Sequence, residues 1–282
     1  MEKLKTKFWD NRKANLFSRK HIPINKYWFH DDVLKSAFFD SNSIAIPIAE
    51  EYIVKLLNHV TPNIKDQKLL KRKELLAEEE SAHALVHTSY NRMLEQEGYR
   101  VKHYRESLVR LRGRAERHLS QKWQLAFCAS LEHLTACTGL IILEKGVIET
   151  GVDERMRKVW LWHSLEEMDH RDIMFDIYKY FGGGYLRRVA MMMFLATLVL
   201  WEQFKIRNGL LWQSGHFFDW GVRKNSWKFL WGKNGFHRHM AEELLKWMHP
   251  NFHPLQIKYQ KALEYRIHRY PIEEELASYF PA

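Results

Sequence analysis

Two segments of the chain repeat one short pattern, Glu80-Ser81-Ala82-His83 and Glu167-Met168-Asp169-His170. A Glu followed three residues later by a His puts both side chains on one face of a helix, where they can meet at one point. A single pair of this kind is common on solvated helices. Two pairs, each inside a long helical stretch and accompanied by Glu residues on two other apolar helices, match the ligand set of a carboxylate-bridged dinuclear metal site between four helices. The chain is therefore expected to be all-α, a four-helix bundle with additional C-terminal helices.

The helices can be placed from caps and stop signals. Residues up to about Phe39 read as a basic, irregular lead-in. Ser43 is expected to cap a first core helix, Ile44 to Leu57, ending near Thr61-Pro62. Asp66 opens a second, which runs to Glu97 and stops at Gly98. An Arg-rich amphipathic helix follows over Tyr104 to His118. Ser120 caps the third core helix, which ends at Gly146. Asp153 opens the fourth, predicted to continue to Phe181 and to break at Gly182-Gly183-Gly184. An apolar helix starts near Tyr185, and the pattern dissolves between Asn208 and Gly235. Helices are expected again over Phe236 to Met248 and Leu255 to His268. With no linker evident, the organisation predicted is a single domain, 1–282: lead-in 1–39, core 40–181 and extension 182–282.

The stripes carry the chemistry. Glu80, His83, His87 and Asn91 share one face of the second helix. His163, Glu167, His170, Met174 and Tyr178 share one face of the fourth. Glu132 is the sole charge on a face formed by Leu125, Cys128, Ala136, Gly139 and Leu143. Glu50 shares a face with Ile46, Ile53, Val54 and Leu57, although Glu51 beside it competes for the inward position. A carboxylate buried without a partner costs several kcal/mol or takes up a proton. Four at one level would be strongly destabilising, and two divalent cations would carry the four positive charges that balance them. Glu50, Glu80, Glu132 and Glu167 would supply the carboxylates, His83 and His170 the nitrogen ligands, and His163 a seventh donor. His87, Asn91 and Tyr178 are candidates for hydrogen bonding to the ligands rather than for ligation; His133 reads as a surface or supporting residue. A mixed oxygen–nitrogen set without thiolate suits two iron ions, with manganese and zinc as alternatives.

Composition agrees with this picture. Of 282 residues, 46% are hydrophobic, while 13 Gly and 7 Pro are too few for an all-β chain of many tight turns. Cys128 and Cys137 fall on opposite faces of one helix and cannot pair, so buried thiols in a reducing, cytoplasmic setting are expected. No apolar segment follows the basic start, and no secretory signal is predicted. The formal net charge of +10 is scattered along the chain. Without a nucleic-acid-binding signature it reads as a basic surface rather than a nucleic-acid interface. The longest uncharged apolar run, Val189 to Trp201, is shorter than the roughly 18–20 residues needed to cross a bilayer. It is expected to be a core helix, with peripheral contact at the inner face of the membrane as the competing reading.

The segments Pro47-Ile48-Ala49-Glu50, Glu79-Glu80-Ser81-Ala82-His83-Ala84-Leu85-Val86-His87, Leu131-Glu132-His133-Leu134-Thr135-Ala136 and Trp160 to His170 resemble the predicted metal-dependent hydrolase family of bacteria. The resemblance extends through Phe175-Asp176-Ile177-Tyr178, Gly183-Gly184-Tyr185 and Phe252-His253-Pro254. His163, four residues before Glu167, is also similar to an added His of the ferritin-like para-aminobenzoate N-oxygenases. That resemblance implies a ferritin-like bundle in which Glu50, Glu80, His83, Glu132, His163, Glu167 and His170 hold two irons. The chain departs from the family pattern at Ala49, where Gly is usual, and at Glu79, where Gln is frequent; neither change removes a ligand. The function expected is O2-dependent oxidation of a small organic or lipid-like substrate in an apolar pocket, with an external electron donor and the four Glu as catalytic residues. A metal-dependent hydrolase using a metal-bound hydroxide is the alternative, and a di-iron hydroxylase acting on tRNA a further one. A homodimer completes the expected partners.

Overall fold

The structure, a computed structural model, describes residues 25–148 and 152–259. The described residues form α-helices joined by short turns, with no strand among them. Helix α1, Val33–Val60, begins well before Ser43, because Asp32 is its cap and accepts from the backbone N–H groups of Leu34 and Lys35. Its first turns are buried nearly all round, with Leu34, Phe38, Phe39 and Asp40 inside. They therefore lack the one-sided pattern that marks a helix in sequence. Pro47 lies inside the helix and does not end it.

Helix α2 covers Gln67–Gln96, with Asp66 as its cap and Gly98 at φ 89° closing it. Helices α3, Val101–His118, and α4, Gln121–Glu144, follow the expected course. Helix α5, Glu154–His170, is capped by Asp153. It does not continue to Phe181: the chain turns at Arg171-Asp172 and resumes as α6, Ile173–Tyr180. Both turn residues are held by distant partners. Arg171 donates to the carbonyls of Met168 and Pro254, and the Asp172 carboxylate accepts from Arg72 at 2.6 Å.

Helix α7 runs over Tyr185–Gln213. Helix α8, Trp220–Trp231, occupies the stretch expected to be irregular; its cap, Asp219, accepts from the N–H groups of Gly221 and Val222. Helix α9 is Phe236–Trp247. At Leu255 the chain forms a 3-10 turn, Pro254–Gln256, in place of the predicted helix; the remainder of that helix, and the lead-in up to residue 24, lie outside the described residues.

Helices α1 and α2 pack as one pair and α4 and α5 as another, and the two pairs meet mainly through α1 against α4 and α2 against α5. This is an all-α arrangement consistent with a ferritin-like bundle. Helix α3 leans on α1 and α2, and α7 covers α1 and α4. Gly139 permits a close approach of α4 to α5, since a Cβ there would stand 2.9 Å from the backbone oxygen of Ser164 on α5. The expectation that Val189 to Trp201 is a core helix is not met. Met191, Met192 and Leu195 are buried, while Met193, Phe194, Leu200 and Trp201 face outward. By length and composition both α4 and α7 are long and apolar enough to cross a membrane. For α4, 83% buried, that reflects its place in the core; α7 is 28% buried.

Candidate metal centre

All seven residues marked by the stripes converge in the bundle interior, none more than 5% exposed. Glu50 comes from α1, Glu80 and His83 from α2, Glu132 from α4, and His163, Glu167 and His170 from α5. The ambiguity on α1 is settled by Arg112, which pairs with Glu51 at 2.7 Å outside the bundle and leaves Glu50 turned inward.

Two overlapping sets of donor atoms result. Glu50, His83, His163 and Glu167 form one, and Glu80, His83, Glu167 and His170 the other; within each, the donors lie within 4.8 Å of one another. Donors bound to one ion at about 2.0–2.2 Å stand at most about 4.4 Å apart, so the spacing within each set is close to that of one coordination shell. His83 and Glu167 belong to both. His83 Nδ1 is 3.6 Å from Glu50 Oε1, 3.8 Å from Glu80 Oε1 and 3.7 Å from Glu167 Oε1. Glu132 joins the second set through Oε2, 3.3 Å from His170 Nδ1. His163 lies on the Glu50 side, with Nε2 3.2 Å from Glu167 Oε1.

The charge balance is what makes the cluster unusual. Among the described residues, none of the ion pairs to these four carboxylates comes from a Lys or Arg; all come from histidines. Both oxygens of Glu50 and of Glu132 are buried without a hydrogen bond of acceptable geometry. Burial, reinforced by the neighbouring carboxylates, drives Glu50 and Glu80 well above the ordinary carboxyl range. Burial lifts Glu132 to about 7 despite His170 beside it. At Glu167 burial also acts upward, but the hydrogen bond from His163 and the charge on His170 outweigh it and leave its pKa lowered. His170 rises to about 9, because Glu132 and Glu167 overcome the opposing effect of burial. Orphaned acceptors and missing positive charge fit a pair of divalent cations, and the buried Glu and His cluster could hold a dinuclear metal centre.

The surroundings fix the ring orientations. His83 Nε2 is 3.0 Å from the buried carboxylate of Glu166, which leaves Nδ1 facing the cluster. A carboxylate behind a ligand imidazole is the usual way its tautomer is set. A second chain of bonds sets His163. Asn91 Nδ2 donates to the Ser43 carbonyl, so Asn91 Oδ1 is the acceptor for the Ser43 hydroxyl proton at 3.0 Å. With its proton spent there, Ser43 Oγ accepts from His87 Nδ1 at 2.9 Å. Burial keeps His87 neutral, its pKa far below the ordinary value. Its Nε2 is then a lone pair and accepts from His163 Nδ1 at 3.1 Å. With an ion bound, the relay would leave the lone pair of His163 on Nε2, the nitrogen 3.2 Å from Glu167 that without one donates to that carboxylate.

His87 and Asn91 are thus hydrogen-bonded behind the cluster and belong to neither donor set. Tyr178 is not: its hydroxyl donates to the Gly184 carbonyl at 2.7 Å, because the turn at Arg171-Asp172 rotates α6 away from the stripe of α5. His133 is not exposed; it is buried, stacks on Trp247 at 4.3 Å and belongs to neither donor set. Cys128 and Cys137 are buried and free, and neither enters a donor set. Sequence reading missed Glu166 and Ser43. The doubled Glu166-Glu167 is the one signal that marks the first, and Ser43 was absorbed as a helix cap.

A family model described as predicted metal-dependent hydrolase matches residues 12–258. No curated protein and no solved structure matches the chain significantly.

Proposed function

The chain belongs to the predicted metal-dependent hydrolase family, and on that premise we propose that it is a dinuclear metal enzyme acting on a small organic or lipid-like substrate by hydrolysis. The observation that supports the site is the set of four buried carboxylates lacking a cationic side-chain partner among the described residues. Glu50, His83 and His163 would hold one ion, and Glu80, Glu132 and His170 the other, with Glu167 between them. Two divalent ions bound there would acidify a coordinated water and polarise a carbonyl or phosphoryl oxygen. The protein's own contribution is orientation and exclusion of water. Glu166 and the Ser43–His87 relay hold two imidazoles in the tautomers that present a lone pair inward, and the Trp160 and Trp162 side chains, both 1% exposed, lie on the same helix as three donors.

A second reading, O2-dependent oxidation at two irons, draws on a different observation. Each donor set has two imidazoles, His83 with His163 in one and His83 with His170 in the other. Such a mixed nitrogen and carboxylate set, without thiolate, suits iron that changes oxidation state, and an external electron donor would then be required. One experiment separates the readings. Purified protein is stripped of metal, loaded with zinc or anaerobically with ferrous iron, and assayed for cleavage of acyl esters and for O2 uptake. Ester cleavage by the zinc form, lost in Glu132→Ala, is expected for hydrolysis. O2 uptake by the iron form alone would favour oxidation, and failure to bind two ions of either metal would refute both.

A further inference from the structure

We propose that the outward face of α7 rests on an anionic phospholipid bilayer and that the apolar cavity beneath it takes up one acyl chain from that bilayer. The face is a single stripe at helical spacing: Leu186, Met193, Leu200, Trp201, Phe204 and Trp212, with Ala190, Thr197 and Asn208 between them. Leu186 is 79% exposed, Trp201 59% and Trp212 62%. The stripe runs about 39 Å at 1.5 Å per residue and carries no charged side chain. Its polar members are turned back on the helix. Thr197 Oγ1 donates to the Met193 carbonyl at 2.9 Å, and Asn208 Nδ2 to the Phe204 carbonyl at 2.7 Å. Beyond the helix, Phe218 and Trp220, both 78% exposed, and Trp227 continue the apolar surface. Soluble monomers rarely leave so long an apolar patch open.

Charge identifies the occupant. The stripe is uncharged, but its surroundings are basic: Arg187 stands at its start, and Arg223, Lys224 and Lys228 are exposed on α8 beyond its end. On α3, which shares the cavity with α7, Arg110, Arg114 and Arg117 are exposed. Aromatic and aliphatic side chains flanked by Lys and Arg are the pattern of a helix lying in the headgroup region. The helix lies along the bilayer rather than through it. Its other face packs lengthwise on α1 and α4, and the charged surface of the bundle cannot follow it into hydrocarbon.

The cavity adjoins this face. It measures about 380 Å³, within the range of small-molecule sites, between α7, α3, α1 and α4. Its walls include Ala45, Ile48, Phe127, Leu131, Leu195 and Leu198, and Phe194 belongs both to its lining and to the exposed surface. Ala49 and Leu131, chain neighbours of Glu50 and Glu132, form part of its lining. Polar residues such as Asn42, Arg114, His118 and Gln203 also line it, and with them Tyr52, 2% exposed, whose hydroxyl has no hydrogen-bond partner among the described residues. A buried donor without an acceptor, in a cavity of mostly apolar wall that also includes Arg114 and His118, fits a ligand with a long chain and a carbonyl or carboxylate end. The acyl-chain assignment deepens the dinuclear-enzyme reading and rests on it for the fate of the chain; the docking face does not.

The test uses the full chain. Flotation with vesicles of phosphatidylcholine, with and without phosphatidylglycerol, is compared for wild type and the double variant Trp201→Glu, Phe204→Glu. Binding that requires the anionic lipid and falls at least about tenfold in the variant, a loss of about 1.4 kcal/mol, is expected. Unchanged flotation, or a wild-type dimer that the variant dissociates in sedimentation velocity, would overturn the docking face, the latter by making it a contact between two copies. The cavity is probed with the fluorescent fatty acid cis-parinaric acid. Leu131→Trp should abolish binding and Tyr52→Phe weaken it about three- to tenfold; no binding by wild type, or equal binding by all three, refutes the acyl site. Metal content is measured on every preparation. Wild type that floats but holds no metal sinks the dinuclear reading alone, and metal-loaded wild type that ignores vesicles sinks the docking face alone.

Discussion

Glu166 and Glu167 are adjacent, both buried, and turned to different tasks. The offset of about 100° per residue sends Glu167 into the cluster and Glu166 toward the back of His83, 3.0 Å away. Replacing Glu166 with Gln keeps the hydrogen-bonding shape and removes the charge behind the imidazole. Two ions should still bind at saturation, with affinity lowered about 10–100-fold, as read by competition with a chromophoric chelator. Glu132→Ala and Glu167→Ala differ in kind, since each removes a donor. Elemental analysis should find at most one ion per chain in either, and two ions in both would reject the ligand assignment. Ser43→Ala removes the acceptor that fixes His87, so the proton on His163 is no longer confined to Nδ1; weaker metal binding is expected with all seven donors intact. The donors were legible in sequence because each lies on an apolar stripe with a period of 3.6. Glu166 and Ser43 were not, because each acts across helices on a partner distant in the chain, and local spacing carries no trace of such a contact.

Among the elements, the crossing of α4 and α5 positions four of the seven candidate donors. Gly139 permits it: a Cβ there would lie 2.9 Å from Ser164 O and 3.2 Å from Ser164 Cα, both backbone atoms that cannot swing aside. Two effects oppose each other in Gly139→Ala. Helix propensity favours Ala by about 1 kcal/mol, and overpacking costs about 1–3 kcal/mol. With backbone as the obstacle the cost should prevail, lowering the melting temperature by a few degrees. Metal affinity should fall with it, because Ser164 follows His163 directly. Thermal unfolding with and without metal reads both. Helix ends marked by Asp66, Asp153, Gly98 and Gly146 could be read from sequence because those residues act locally, as caps or at positive φ. The start of α1 could not, since its buried turns show no polar face. Nor could the turn at Arg171-Asp172, which is held by Arg72 and the Pro254 carbonyl from elsewhere in the fold.

For the whole molecule, a net charge of +10 surrounds a core that holds uncompensated acid. This combination gives the metal-free protein an uncommon response to pH. In the folded chain Glu132 titrates near 7 against an ordinary 4.5, and Glu50 and Glu80 are shifted the same way by burial. Between those limits the folded state binds more protons than the unfolded state, so stability falls as pH rises. His170 acts in the same direction: its stabilisation is complete below 6.5 and is lost as pH rises through about 9. Asp40, lifted by burial to about 7, adds to the slope from a position on α1 where it accepts from Trp28 and Tyr90. Glu167, with its lowered pKa, stabilises above 4.5 and opposes only at more acid pH, outside this window. His87, His133 and His237, whose pKa values burial lowers, act the other way below the ordinary 6.5, so the melting temperature of the chelator-stripped protein should decline chiefly from about pH 6.5 to pH 9. In the loaded protein, cations replace the protons on the carboxylates, loading releases protons, and the contributions of Asp40 and of the buried histidines outside the donor sets remain. The gap between the two melting curves should widen with rising pH. Calorimetry of stripped and loaded protein over that range measures it, and a stripped protein that gains stability toward alkaline pH would show that the cluster is not the acidic, metal-requiring core described.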